Sequence, residues 1–285
     1  MKNTAITATD IGILLLSLLL FFFMLITGYG MLLGDEIRHL SYLNIYSREP
    51  LKTISLTHSI MLQIIGIMCG ISSSLFLIYI IQYQPLKPKF NCDILKWGVY
   101  ISLLTVTLYG GLLRIISNQQ GAAILFFFTV LLYLLFSWLE TTSSGKTNTL
   151  FKNIILFPIY LTLFYTMGLP GWAKIFGSEG VMERYETMFA HSFIAMLPGG
   201  TSSMIFLLGL MELSVPILLI ISVVKKEFMV SHNKKWLNAA LLITCSTFIA
   251  LCFGLSVLFN FAGASNLVFY ALFTFLILIS LPSKS

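Results

Sequence analysis

The sequence predicts an all-α, polytopic membrane protein of about eight transmembrane helices, arranged as two parallel four-helix repeats. Three observations carry this. Of the 285 residues 58% are apolar and only 10% charged, with a mean hydropathy of +0.93, beyond what a water-soluble domain uses to fill its core. The apolar residues run in long blocks, and a helix needs about 20 of them to cross ~30 Å of hydrocarbon. The chain also matches itself at a fixed offset.

The blocks predict spans at 11–33, 57–82, 97–116, 121–139, 151–169, 201–224, 236–259 and 263–281, with short polar turns at 117–120 and 260–266. In hydrocarbon an open strand edge cannot be satisfied, and the alternation of a transmembrane barrel is absent, so the spans are expected to be helices. The first block follows Lys2 but is too long for a signal peptide and lacks a small-residue cleavage site, so it is read as a retained span.

The formal charge of +6 does not point to nucleic acid, because the basic residues sit at span ends and form no stripe. With eight spans, Lys2, Lys87, Lys89, Lys96, Lys146, Lys152, Lys225, Lys226, Lys234, Lys235 and Lys284 share one side, and Arg38, Arg48, Lys52, Arg114, Lys174 and Arg184 the other. Eleven against six places both termini in the cytoplasm of a plasma (inner) membrane.

Sliding the chain by 143 residues pairs Gly28 with Gly171, Gly34 with Gly177, Glu36 with Glu179, Gly66 with Gly209 and, further on, Gly111 with Gly254. Ten of the 51 positions from 28 to 78 are identical. The glycine and glutamate matches carry the most weight, since leucine matches arise freely in so apolar a chain. The expected organisation is a first repeat at 1–140, a cytoplasmic linker at 141–152 and a second repeat at 153–285. Four spans per half give both halves the same sense, as in parallel repeats about an axis along the membrane normal. Ser144-Gly145-Lys146-Thr147 lacks the first glycine and the preceding strand of a phosphate-binding loop.

A long exoplasmic loop joins the first two spans of each half, at 34–56 and 177–200. In the second, Val181, Met182, Tyr185, Met188 and Phe189 recur at helical spacing opposite Glu179, Glu183, Arg184, Glu186 and Thr187. A short amphipathic helix in the interface is expected there, as a lid or a docking surface. Trp172 is expected at headgroup depth.

Glu212 is the first candidate site residue. It falls near the middle of a span, where an ionised carboxylate is costly unless it pairs or takes up a proton. Lys174 is the expected basic partner and Arg114 the alternative, while Pro216, one turn beyond Glu212, frees that residue's carbonyl. Glu179 and Trp172 are possible supporting residues. Met31 and Cys69 stand at the equivalent positions of the first half, so a Lys/Glu site is expected in the second half only. The cysteines (69, 92, 245 and 252) form no C-x-x-C pair, and the four histidines have no ligand spacing, so no metal site is expected and no cofactor follows.

Gly171-Trp172-Ala173-Lys174-Ile175-Phe176-Gly177, the acidic segment that follows it, and Gly209-Leu210-Met211-Glu212-Leu213 together resemble the DoxX-like family of four-helix membrane proteins, related to MauE. The resemblance covers roughly 155–281, and the first half only through the repeat. It implies that Lys174 and Glu212 are characteristic polar positions. It also implies an accessory, non-catalytic subunit of a quinone- or sulfur-linked redox complex, with the bilayer, complex subunits or quinone as partners. The fold also resembles that of vitamin K epoxide reductase, whose cysteines are absent here. A carrier or channel working through an intramembrane glutamate, or a structural protein, are the alternatives. Under the expected topology, a cysteine introduced at Ser144 should react with an impermeant maleimide only from the cytoplasmic side; labelling of intact cells from outside would reverse the faces.

Overall fold

A computed structural model describes residues 8–33, 55–83, 92–115, 118–142, 153–177, 179–229 and 232–281. The chain divides into two compact units, Met1–Thr147 and Asn148–Ser285. The first holds α1 (Ala8–Leu32), α2 (Ser55–Gln82), α3 (Cys92–Ile115) and α4 (Gln119–Thr142). The second holds α5 (Phe157–Phe176), α6 (Glu179–Phe189), a 3-10 turn (Phe193–Met196), α7 (Gly200–Val224), α8 (Lys235–Val257) and α9 (Phe261–Ser280). Among the described residues there is no strand. Among these residues seven helices are long and apolar enough to cross a membrane, and the chain is an integral membrane protein whose helices contact lipid.

The exception among the eight expected spans is α5. It has 20 residues, a spanning length, but its apolar run is broken by tyrosines, threonines, prolines, glycines and Lys174. Several of these face inward: Tyr160, Thr162, Tyr165, Gly171 and Lys174 are all buried. The shortfall in hydropathy therefore lies on the face that meets protein. The helix also begins and ends later than 151–169 suggests, because Pro158 suits a first turn and Pro170 is carried inside the helix.

Large apolar side chains face both ways, outward as well as into a core that includes Phe76, Phe126, Phe136 and Leu163, and small hydroxylated ones are drawn inward. Leu15, Leu19 and Ile26 of α1 are exposed, whereas Ser17, Ser72, Ser102, Thr107 and Thr129 are buried. Lipid tails are as apolar as leucine, so helices associate through close packing and hydrogen bonds. Ser72 and Ser102 bridge α2 and α3 through their hydroxyls at 2.5 Å, and Ser72 donates to the Gly98 carbonyl at 3.1 Å. Phe23 stacks on Phe128, bringing α4 against α1.

The first two spanning-length helices of each unit meet on glycines. A methyl group on Gly28 would lie 2.9 Å from Cys69 Cβ, and one on Gly66 would lie 3.2 Å from Met31 Cβ. In the second unit a methyl on Gly171 would lie 2.8 Å from Glu212 Cβ, and one on Gly209 would lie 3.0 Å from Lys174 Cβ. The same local contacts thus recur at an offset of 143.

The turns between the last two helices also recur. Asn118 N–H donates to Leu113 O at 2.9 Å, and Asn260 N–H to Leu255 O at 2.9 Å. Each asparagine then accepts, at 3.0 Å, the amide of the glycine three residues on, Gly121 or Gly263. One residue closes the outgoing helix and caps the next. The second of these turns occupies 258–260, shorter than the expected 260–266, so Asn266 is helical. The expected linker begins late as well: Glu140, Thr141 and Thr142 continue α4. The first half's loop, expected at 34–56 on the exoplasmic side, falls at 34–54 outside the described residues.

Because the glycine contacts have no slack, Gly28→Leu and Gly171→Leu should each destabilise their unit by about 1–3 kcal/mol or more through overpacking. Gly12→Ala, with nothing near its added methyl, should not lower stability. Thermal unfolding midpoints in detergent check this.

Candidate functional site

Lys174 and Glu212 form an ion pair inside the second unit. Lys174 Nζ donates to Glu212 Oε1 at 2.7 Å and to Oε2 at 2.6 Å, and the two side chains are 4% and 2% exposed. The local sequence explains the approach. Each charged residue stands three places after a glycine, Gly171-x-x-Lys174 on α5 and Gly209-x-x-Glu212 on α7, and each glycine receives the β-carbon of the opposite charged residue. The backbones are thereby close enough for both carboxylate oxygens to reach one ammonium. A three-residue separation puts glycine and charge on the same face.

The α6 segment covers the pair. Tyr185 on α6 lies with its ring centroid 6.0 Å from Lys174 Nζ, within reach of a cation–π attraction. Phe189, Ile194 and Ile205 form a buried apolar cluster, with Met182, Tyr185, Val257 and Leu258 packed against it. The segment is thus anchored on α7 and on the end of α8. Met188, counted on the apolar face in the sequence, is 44% exposed, and Phe193 and Met196 beyond it are exposed by 51% and 88%. Entry into α7 uses two left-handed glycines, Gly199 at φ 83° and Gly200 at φ 64°, a conformation glycine adopts without steric cost.

The remaining candidates take other places. Pro216 sits inside α7 one turn beyond Glu212, and a methyl on Gly168 of α5 would meet its ring at 3.5 Å. Trp172 is 60% exposed and lies against Phe176, ring centroids 4.5 Å apart, on the outside of its helix. Glu179 is the first residue of α6. Arg114 lies in the last turn of α3, in the first unit, and the ammonium on Glu212 is that of Lys174. Among the described residues no group of three His, Cys, Asp or Glu side chains gathers as a metal site would need. Cys69, Cys245 and Cys252 are free thiols.

Two buried polar groupings escape a reading of the sequence. Lys96 and Glu140, which count as loop charges when spans are drawn by hydropathy, lie inside α3 and α4 and pair at 2.7 Å. The second centres on Glu227, in the turn after α7. Its carboxylate accepts the Ser222 hydroxyl at 2.7 Å and the amides of Trp236 and Leu237 at 3.0 and 2.9 Å, capping α8 from a distance. Tyr160 of α5 joins through its hydroxyl, 2.6 Å from Ser222 Oγ. Lys234 Nζ donates to the carbonyls of Glu227 and Met229. Burial holds its ammonium below the usual lysine range, and the Glu227 charge opposes that shift. The available signal was a lone acid after Lys225-Lys226 and before a helix start.

Comparison with protein-family models, curated proteins and solved structures finds no match to this chain.

An ammonium left in this interior without its counter-charge is expensive. Glu212→Leu should lower stability by about 3–5 kcal/mol, and adding Lys174→Met should restore most of that loss. Unfolding midpoints of both variants in one detergent test the coupling; equal losses in the single and double variants would refute it.

Proposed function

We propose that this integral membrane protein is an accessory, non-catalytic subunit of a quinone- or sulfur-linked redox complex, of the DoxX-like kind that its second half resembles. The supporting observation is the closure of the ion pair. Both oxygens of Glu212 rest on one ammonium, with Tyr185 of α6 beside it. A carboxylate so engaged suits a clamp that holds α6 in place better than a group that takes up and releases protons, so this reading is preferred to a carrier working through Glu212. The exposed apolar side chains of the α6 segment, Met188, Phe193 and Met196, supply the face on which a complex subunit or a quinone would be met. In this reading α5 crosses the bilayer with the seven more apolar helices, both termini are cytoplasmic, and α6 lies at the exoplasmic surface.

Extraction in mild detergent should recover the chain in a stable assembly with a membrane-bound oxidoreductase. Deleting it should lower that enzyme's activity in isolated membranes. Recovery as an isolated chain, with oxidoreductase activities unchanged on deletion, would contradict the proposal.

A further inference from the structure

The differences between the two units are informative because so much between them is the same. At an offset of 143, Gly28 and Gly66 do in the first unit what Gly171 and Gly209 do in the second, accepting the β-carbons of Cys69 and Met31 in place of Glu212 and Lys174. Met31 and Cys69 are fully buried, like the residues they match. The Asn118 and Asn260 turns make the same bonds to the same relative positions, one residue out of step. A third correspondence lies at the other end of the seam. Tyr160 and Ser222 touch across α5 and α7, and the matching positions hold Ser17 and Tyr79, both buried. The large and the small residue have changed sides.

Against that common frame, one set of chemical departures lies together on one seam. Where the first unit has Leu25, Thr27, Met31, Cys69 and Ser73, the second has Gly168, Pro170, Lys174, Glu212 and Pro216. All five lie on α5 or α7. Gly168 and Pro216 face each other, as Lys174 and Glu212 do. Each proline also withdraws an amide from its helix, leaving the carbonyls of Thr166 and Glu212 without their usual donor four residues on.

We infer that the two units are copies of one four-helix element and that the Lys174–Glu212 pair is a positioning device acquired or kept by the second copy, which seats the α6 lid through Tyr185 and is dispensable for the four-helix fold. The first unit is the internal control: the same helix crossing forms there around methionine and cysteine. A pair needed only for packing would have no reason to differ between two crossings built on the same glycines. In the second unit the lysine links α7, through Glu212, to α6, through Tyr185, so losing the pair should free the lid and spare the helices beneath it. The consequence for partner docking rests on the function proposed above; the seating of the lid does not.

The experiment places the first unit's residues in the second, Lys174→Met with Glu212→Cys, in the full chain in lipid nanodiscs. Amide hydrogen exchange is followed over 179–197 and over α7 to α9. The variant should fold with unchanged helix content, and exchange in 179–197 should rise about tenfold or more while α7 to α9 keep their protection. Tyr185→Leu, which leaves the pair in place, should raise exchange in the same segment only. Failure of the double variant to fold would overturn the inference, because the pair would then be a folding requirement. Unchanged exchange in 179–197 would overturn it as well. A loosened lid with normal recovery of the oxidoreductase assembly would uphold the inference and refute the docking role instead.

Discussion

One carboxylate and one ammonium, enclosed between two helices in a solvent that cannot hydrate either, set the terms for the second unit. Their mutual contact is tolerable only if the helices come close enough for both oxygens to be met, and that closeness is supplied by Gly171 and Gly209. Tyr185 joins because its ring approaches the ammonium from the α6 side. The α6 segment is further held by Phe189 and Ile194 against Ile205. Removing a glycine, a charge or the ring would each loosen the same assembly from a different direction.

The same constraint organises the other buried charges. Lys96 and Glu140 neutralise one another between α3 and α4. Glu227 is met by a hydroxyl and two amides at the start of α8, with Lys234 wrapped onto neighbouring carbonyls. Hydroxyl side chains serve the remaining polar needs, either across helices, as with Ser72 and Ser102, or back onto their own helix, as with Thr244 to Ala240. Among the described residues most of this interior polarity is gathered in small sets that satisfy one another, which is what a bilayer demands; Glu140 Oε1 and Asn238 Oδ1 are buried exceptions with no hydrogen-bond partner.

The helical membrane fold was legible because hydropathy and length respond to the same solvent that dictates the fold. Helix ends were not: Lys96 and Glu140 look like loop residues until their pairing is seen, and Pro170 looks like a stop although α5 runs through it to Phe176. Glu212 stood out as an acid within an apolar run, and Lys174 as a base at a span end whose long stem can reach inward. Their juxtaposition depends on glycine spacing, a signal that the sequence does contain, at 171 and 174 and at 209 and 212. The Glu227 grouping depends on a turn geometry, with Lys226 at φ 57°, that no periodicity announces. The equivalence of Asn118 and Asn260 was hidden by a one-residue shift in the offset.

The central claim is that Glu212 is ionised and bound to Lys174 within the membrane. Infrared difference spectroscopy of the wild type against Glu212→Gln in lipid nanodiscs, with isotope-labelled glutamate for assignment, tests it directly. The account predicts that the substitution removes carboxylate stretching bands, and that Lys174→Met perturbs those bands in the protein that keeps Glu212. Loss of a protonated carboxylic-acid carbonyl band instead, indifferent to Lys174→Met, would contradict it.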